Sequence, residues 1–108
     1  MSWRVEVLNE TVEAEIGAMP VDVRANLLKI VERIESLGLE RVGEPYVKHI
    51  EDKIWEIRPH GRSAEGRCLY VTAHQRRIVI LVAFIKKSQK TPRRYIELAY
   101  RRMKEVVR

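Results

Sequence analysis

Arg77-Ile-Val-Ile-Leu-Val-Ala-Phe-Ile85 is the stretch on which the fold turns. It is almost wholly apolar or β-branched and shows no in–out alternation. A strand that is apolar on both sides needs cover on both faces, so this one predicts the middle of a sheet. On its N-terminal side, His74 and Gln75 leave room only for a tight connection, and Arg67 to Thr72 reads as an antiparallel partner. Before that, Pro59-His-Gly-Arg-Ser63 has the composition of a turn or loop. Lys53 to Arg58 then reads as a third strand, with Trp55 and Ile57 on one face. On the C-terminal side, Thr91-Pro92 opens a helix as cap and first-turn proline, and Ile96, Ala99, Met103 and Val106 mark its inner stripe.

The first half has a different rhythm. Trp3 to Leu8 alternates as a strand does. Asn9 can cap a short helix carrying Val12, Ile16 and Met19. Pro20 and Asp22 suit the start of a second helix, whose stripe is Val23, Leu27, Ile30, Val31, Ile34 and Leu37 and whose stop is Gly38. Gly43 to Asp52 reads as a connection. The expectation is one α+β domain over residues 1–108. In it an N-terminal strand and a helical hairpin pack on a mainly antiparallel sheet, and a helix closes the chain. The first strand goes to one edge or beside the long central strand.

Charge divides the chain in two. Residues 1–52 hold six Lys/Arg against eleven Asp/Glu, a net −5, and residues 53–108 hold fifteen against four, a net +11. A half-chain of that charge calls for a polyanion, and nucleic acid is the commonest. No apolar run approaches the ~20 residues of a membrane span, and Met-Ser-Trp-Arg-Val-Glu lacks the apolar block of a signal peptide. The single Cys68 cannot form an internal disulfide, so a reducing, cytoplasmic setting is expected.

His49, His60 and His74 sit on separate elements without metal-ligand spacing, and no glycine-rich phosphate loop is present. No cofactor or metal is expected. The positive pattern is cationic. Arg58 ends one strand, Arg67 begins the next, and Lys86 and Lys87 follow the central one. In an antiparallel meander these positions share one end of the sheet and converge on a patch. Arginine grips phosphate with two parallel donors and lysine adds point charge. Tyr70 and Tyr95 could stack on bases or handle protons.

Three stretches carry a resemblance. They are Lys53-Ile-Trp-Glu-Ile-Arg58, Arg67-Cys-Leu-Tyr70, and Ala83-Phe-Ile-Lys-Lys-Ser-Gln-Lys-Thr-Pro-Arg-Arg-Tyr-Ile-Glu-Leu-Ala99. Together they resemble the HigB-type, phage-associated branch of the RelE/ParE superfamily, the toxins of type II toxin–antitoxin pairs. The resemblance implies a ribosome-dependent, metal-independent mRNA endoribonuclease in which the ribose 2′-hydroxyl attacks the scissile phosphate. By this resemblance Arg67, Arg58, Lys86 and Tyr95 are catalytic. Lys87, Lys90, Arg93, Arg94, Tyr70 and His60 contact RNA or phosphate, and the general base is open among His60, Glu56 and Tyr95. The implied partners are a cognate antitoxin, a small helix-turn-helix protein, together with the ribosome and mRNA; operator DNA is met only through the antitoxin complex. Two other outcomes stay open on the same fold: inhibition of DNA gyrase without nuclease activity, and a non-catalytic nucleic-acid-binding module that works with its antitoxin.

Overall fold

The computed structural model describes residues 2–107. Strand β1 (Arg4–Val7) leads into helices α1 (Glu10–Gly17) and α2 (Val21–Leu37) and a 3-10 turn at Leu39–Arg41. Strands β2 (Val47–Glu51), β3 (Ile54–Ile57), β4 (Gly66–Ala73) and β5 (Arg77–Ile85) follow, and helix α3 (Arg93–Met103) closes the fold. The sheet runs β1-β5-β4-β3-β2, antiparallel except where β1 lies parallel to β5.

The central strand behaves as its sequence predicts. Ile78 through Phe84 are all buried because each face of β5 has its own helical cover. On one face Ile78, Ile80, Cys68, Tyr70 and Ile57 pack under Val12, Val23, Leu27, Ile30 and Ile34 of the helical hairpin. On the other face Leu69, Val71, Val79, Leu81 and Phe84 pack under Ile96 and Ala99 of α3. The β4–β5 register slips at Leu69/Tyr70, so that Leu81 and Val82 both join the α3 side. Ala83 N–H turns out of the ladder to Glu15 of α1, at 3.0 Å. Arg102 of α3 reaches the same carboxylate and also donates to Leu81 O at 2.8 Å, which ties both helices to the irregular point of the strand.

Three details depart from the sequence reading. Gly43 to Asp52 is not all connection, because Val47–Glu51 forms the edge strand β2, bulged between His49 and Glu51. The Thr91 hydroxyl does not cap α3; it donates instead to Glu56 Oε2 at 2.9 Å, and Pro92 occupies the cap position. Val106 keeps its inward packing but lies beyond the end of the helix. At the opposite edge of the sheet, the outward N–H of Val5 is taken by Glu35 of α2 at 2.9 Å.

Gly66 starts β4 where the hairpin comes closest to the sheet. A Cβ there would sit 3.0 Å from Val23 Cγ1 and 3.1 Å from Pro59 Cγ. The glycine lets the helices press onto the strand one residue before Arg67.

Candidate nucleic-acid interface

Glu56 and Arg67 are the buried charged residues of the described chain, at 2% and 3% exposure. They occupy neighbouring strands on the α3 side of the sheet, close to its end. A carboxylate withdrawn from water needs compensating partners, and Glu56 has three. Arg58 Nε lies 3.4 Å and Arg67 Nε 3.5 Å from its Oε1, while Thr91 donates to Oε2. Arg67 continues the chain of charge to Glu65 Oε1 at 3.2 Å, which Lys86 Nζ meets at 3.7 Å. The Arg67 and Lys86 cations hold the Glu65 carboxyl below its ordinary 4.5. The result is a continuous network, Arg58–Glu56–Arg67–Glu65–Lys86, across the ends of three strands.

The segment 86–92 divides two concavities above this network. One, about 920 Å³, is lined by Lys48, Arg58, Lys90, Arg93 and Arg94 around Glu51 and Glu56. The other, about 650 Å³, is lined by Arg62, Lys86 and Lys87 beside Glu65. Ser88 and Gln89 border both. Arg58, Arg67, Lys86 and Lys87 thus gather at one end of the sheet, as the meander predicts, and Lys90, Arg93 and Arg94 flank them.

The residues differ in what they can offer a ligand. Arg58 keeps a quarter of its side chain exposed and meets Glu56 through Nε; among the described residues no acceptor takes its terminal nitrogens. Arg67 is engaged at all three nitrogens, since beside the Glu56 contact its NH1 donates to Gly66 O at 2.6 Å and its NH2 to Glu65. It stands in a polar site at the end of the sheet, and its burial there gives its fork to protein acceptors. Arg93 is gripped at both terminal nitrogens by Glu51, at 2.6 and 3.0 Å, and Tyr100 donates to the same carboxylate.

The aromatic candidates lie elsewhere. Tyr70 is fully buried on the hairpin side of the sheet, so the expected base stacking by this ring is corrected: no base can reach it. Tyr95 stacks on Phe84, with ring centroids 3.8 Å apart, and carries the Arg94 guanidinium on its face at 4.7 Å. His60 borders a separate hollow with Asp22, Asn26 and Lys29. Of the three candidate bases, Glu56 is the one that lines the cation-rich cleft. Burial pushes the Cys68 thiol up to about 12, which suits a packing residue and not a nucleophile.

Sequence reasoning missed Glu56 as the hub, and it missed Lys48 altogether. Glu56 had a usable signal: it alternates with Ile54 on a strand, so its side chain shares the buried face. Lys48 had none once β2 was read as connection.

These features define a small α+β domain with a covered sheet and a cation-lined cleft where the strands end. Residues 14–104 match the sequence profile of the phage-derived protein Gp49-like (DUF891) family, and the chain belongs to that family. It is a family of toxins from toxin–antitoxin pairs, related to the RelE/ParE type, which implies an antitoxin as partner. No curated protein matches the chain.

Proposed function

We propose that the chain is a HigB-type toxin that acts in the cytoplasm as a ribosome-dependent mRNA endoribonuclease. The observation that carries this reading is the cleft itself: Arg58 with open terminal nitrogens, backed by a buried carboxylate and framed by Lys48, Lys90 and Arg94. In the reaction the ribose O2′ bonds to phosphorus and the P–O5′ bond breaks. The 2′ proton leaves and the 5′ oxygen gains one, giving a 2′,3′-cyclic phosphate and a 5′-hydroxyl. Negative charge grows on the phosphoryl oxygens as phosphorus becomes five-coordinate, and a preset guanidinium is most effective at that moment. In this reading Arg58 contacts the phosphate and Lys86 adds charge. Glu56 and Arg67 are positioning residues that hold Arg58 in place. Lys87, Lys90 and Arg94 follow the RNA backbone.

The test is inducible expression with mapping of mRNA 5′ ends, followed by single-turnover cleavage on programmed ribosomes. Arg58→Ala should lose about 100-fold or more in rate, the usual effect of removing a main transition-state donor, while Arg58→Lys recovers part of it. Products with 5′-phosphate ends made directly by the purified protein would sink the mechanism. Gyrase inhibition without cleavage would move the chain to the other branch of toxins.

A further inference from the structure

The concavity of about 650 Å³ beside the cleft has a firm frame and one loose acid. Its walls are the segments 61–65 and 86–89. Backbone bonds hold both. Lys86 N–H donates to Glu65 O at 2.8 Å, Gly61 N–H to Ala64 O at 2.8 Å and Gly66 N–H to Pro59 O at 2.7 Å. Helix α2 braces the first wall, since Asp22 accepts from Arg62 N–H at 2.7 Å and Asn26 from His60 N–H at 2.9 Å. Arg62, Lys86 and Lys87 line the space, and Glu65 is the acid among them.

The Glu65 side chain stands outside that frame. Its Oε1 meets Arg67 Nη2 at 3.2 Å and Lys86 Nζ at 3.7 Å, and it is 54% exposed, against 4% and 21% for the two cations. A half-exposed ion pair is weak, because water competes for both charges. The carboxylate can therefore swing into solvent at little cost. Lys86 stays beside the concavity when it does, because its backbone is bonded to Glu65 O and not to the side chain. The position left behind adjoins an ammonium, with a guanidinium behind it. Phosphate suits such a position, since its oxygens can meet both cations at once. Ser88 and Gln89 border this space and the cleft alike, so a strand crossing the segment 86–92 passes from Arg58 to Lys86. We propose that the Glu65 carboxylate occupies a phosphodiester subsite, and that a backbone phosphate of a bound single strand displaces it to meet Lys86, with Arg67 Nη2 behind. The inference rests on the reading that the cleft meets RNA, and it makes Glu65 a determinant of affinity, not of bond breaking.

The test titrates a short single-stranded 2′-O-methyl RNA, which lacks the attacking hydroxyl, so that binding is read apart from cleavage. Glu65→Ala should bind it about two- to fivefold more tightly, the strength of the exposed ion pair that no longer competes. The slope of log K against log salt should steepen by about 0.7, the value for one further phosphate neutralised on a single strand. Glu65→Gln keeps an acceptor for Arg67 without the charge and should move affinity in the same direction. In a Lys86→Ala background the gain from Glu65→Ala should shrink to less than half, because one of the two cations it releases is gone. An undiminished gain there would reduce the effect to the loss of diffuse negative charge and overturn the proposal. So would unchanged or weaker binding in both Glu65 variants. Should Glu65→Ala fail to fold, Glu65→Gln decides alone. Single-turnover cleavage on programmed ribosomes separates the two readings. Tighter binding in the Glu65 variants of a parent that does not cut supports the subsite and removes the nuclease; a cutting parent whose Glu65 variants gain no affinity removes the subsite and leaves the nuclease.

Discussion

At the scale of the residue, the decisive group is one that local pattern undervalues. Trp55-Glu56-Ile57 reads as an ordinary strand segment, and a glutamate in a strand is usually solvated. Glu56 becomes the hub only because Arg58, Arg67 and Thr91, up to 35 residues away, converge on it. The four cations of the patch were legible from strand order, since a meander returns its strand ends to the same side. Which of them is free was not legible, because that depends on the acids that fold against them. The arrangement makes Arg67 a stability residue. Arg67→Ala leaves Glu56 buried with fewer partners, a change that costs about 3–5 kcal/mol. Arg67→Lys should restore only part of the stability, since one ammonium cannot span Glu56, Glu65 and Gly66 O together. Urea denaturation of the two variants measures this; an Arg67→Ala protein as stable as the parent would show that the network holds nothing.

At the scale of the element, α3 has a divided role. Arg93 is clamped to β2 through Glu51, and Arg102 to α1 and β5 through Glu15 and Leu81 O, so neither is a spare cation. Arg94 and Arg101 face solvent. Arg102→Ala should therefore cost about 2 kcal/mol, as hydrogen bonds to charged groups do, and leave the salt dependence of the proposed RNA or ribosome binding unchanged. Arg94→Ala with Arg101→Ala should do the reverse, lowering the slope of log K against log salt by about one for each phosphate no longer neutralised. Binding titrations over several salt concentrations, beside thermal melts, separate the two effects. The helices, β1 and β3 were readable from periodicity, and β5 from its unbroken apolar run. β2 was not: Val47-Lys-His-Ile-Glu51 is short and charged, and its bulge breaks the alternation that identifies a strand. The Thr-Pro pair before α3 misled for a related reason, since a hydroxyl placed to cap a helix is equally placed to reach across to a buried carboxylate.

At the scale of the whole molecule, the split between an acidic first half and a basic second half is partly cancelled by folding. Glu6–Arg77, Glu15–Arg102 and Glu51–Arg93 each join one half to the other. Lys48, Lys87, Lys90 and Arg94 stand in none of these pairs and border the two concavities, so the field is more local than the charge of the half-chain suggests. Hydrogen-bonded carboxylates also set the acid limit of the fold. Hydrogen bonds from Arg77, Arg93 and Arg67 lower the carboxyls of Glu6, Glu51 and Glu65 below their ordinary 4.5, and the Arg62 backbone N–H lowers Asp22 below 3.8. A lowered folded pKa adds stability that is present above the unfolded value and lost as pH falls through the folded one. The urea midpoint should therefore be level from pH 7 to about 5 and decline below about 4.5; a decline that begins above pH 6 would point to groups other than these. The two sheet edges have a further consequence. β1 has its Val5 N–H taken by Glu35, and β2 is short, bulged and charged. Such edges are poor templates for a visiting strand. A toxin whose antitoxin has been removed is left alone at the moment it must act, and one with a ready strand edge would then lose itself to aggregates of its own kind. Here both edges of the sheet are poor templates for that route, which would disfavour strand-to-strand pairing of the free chain.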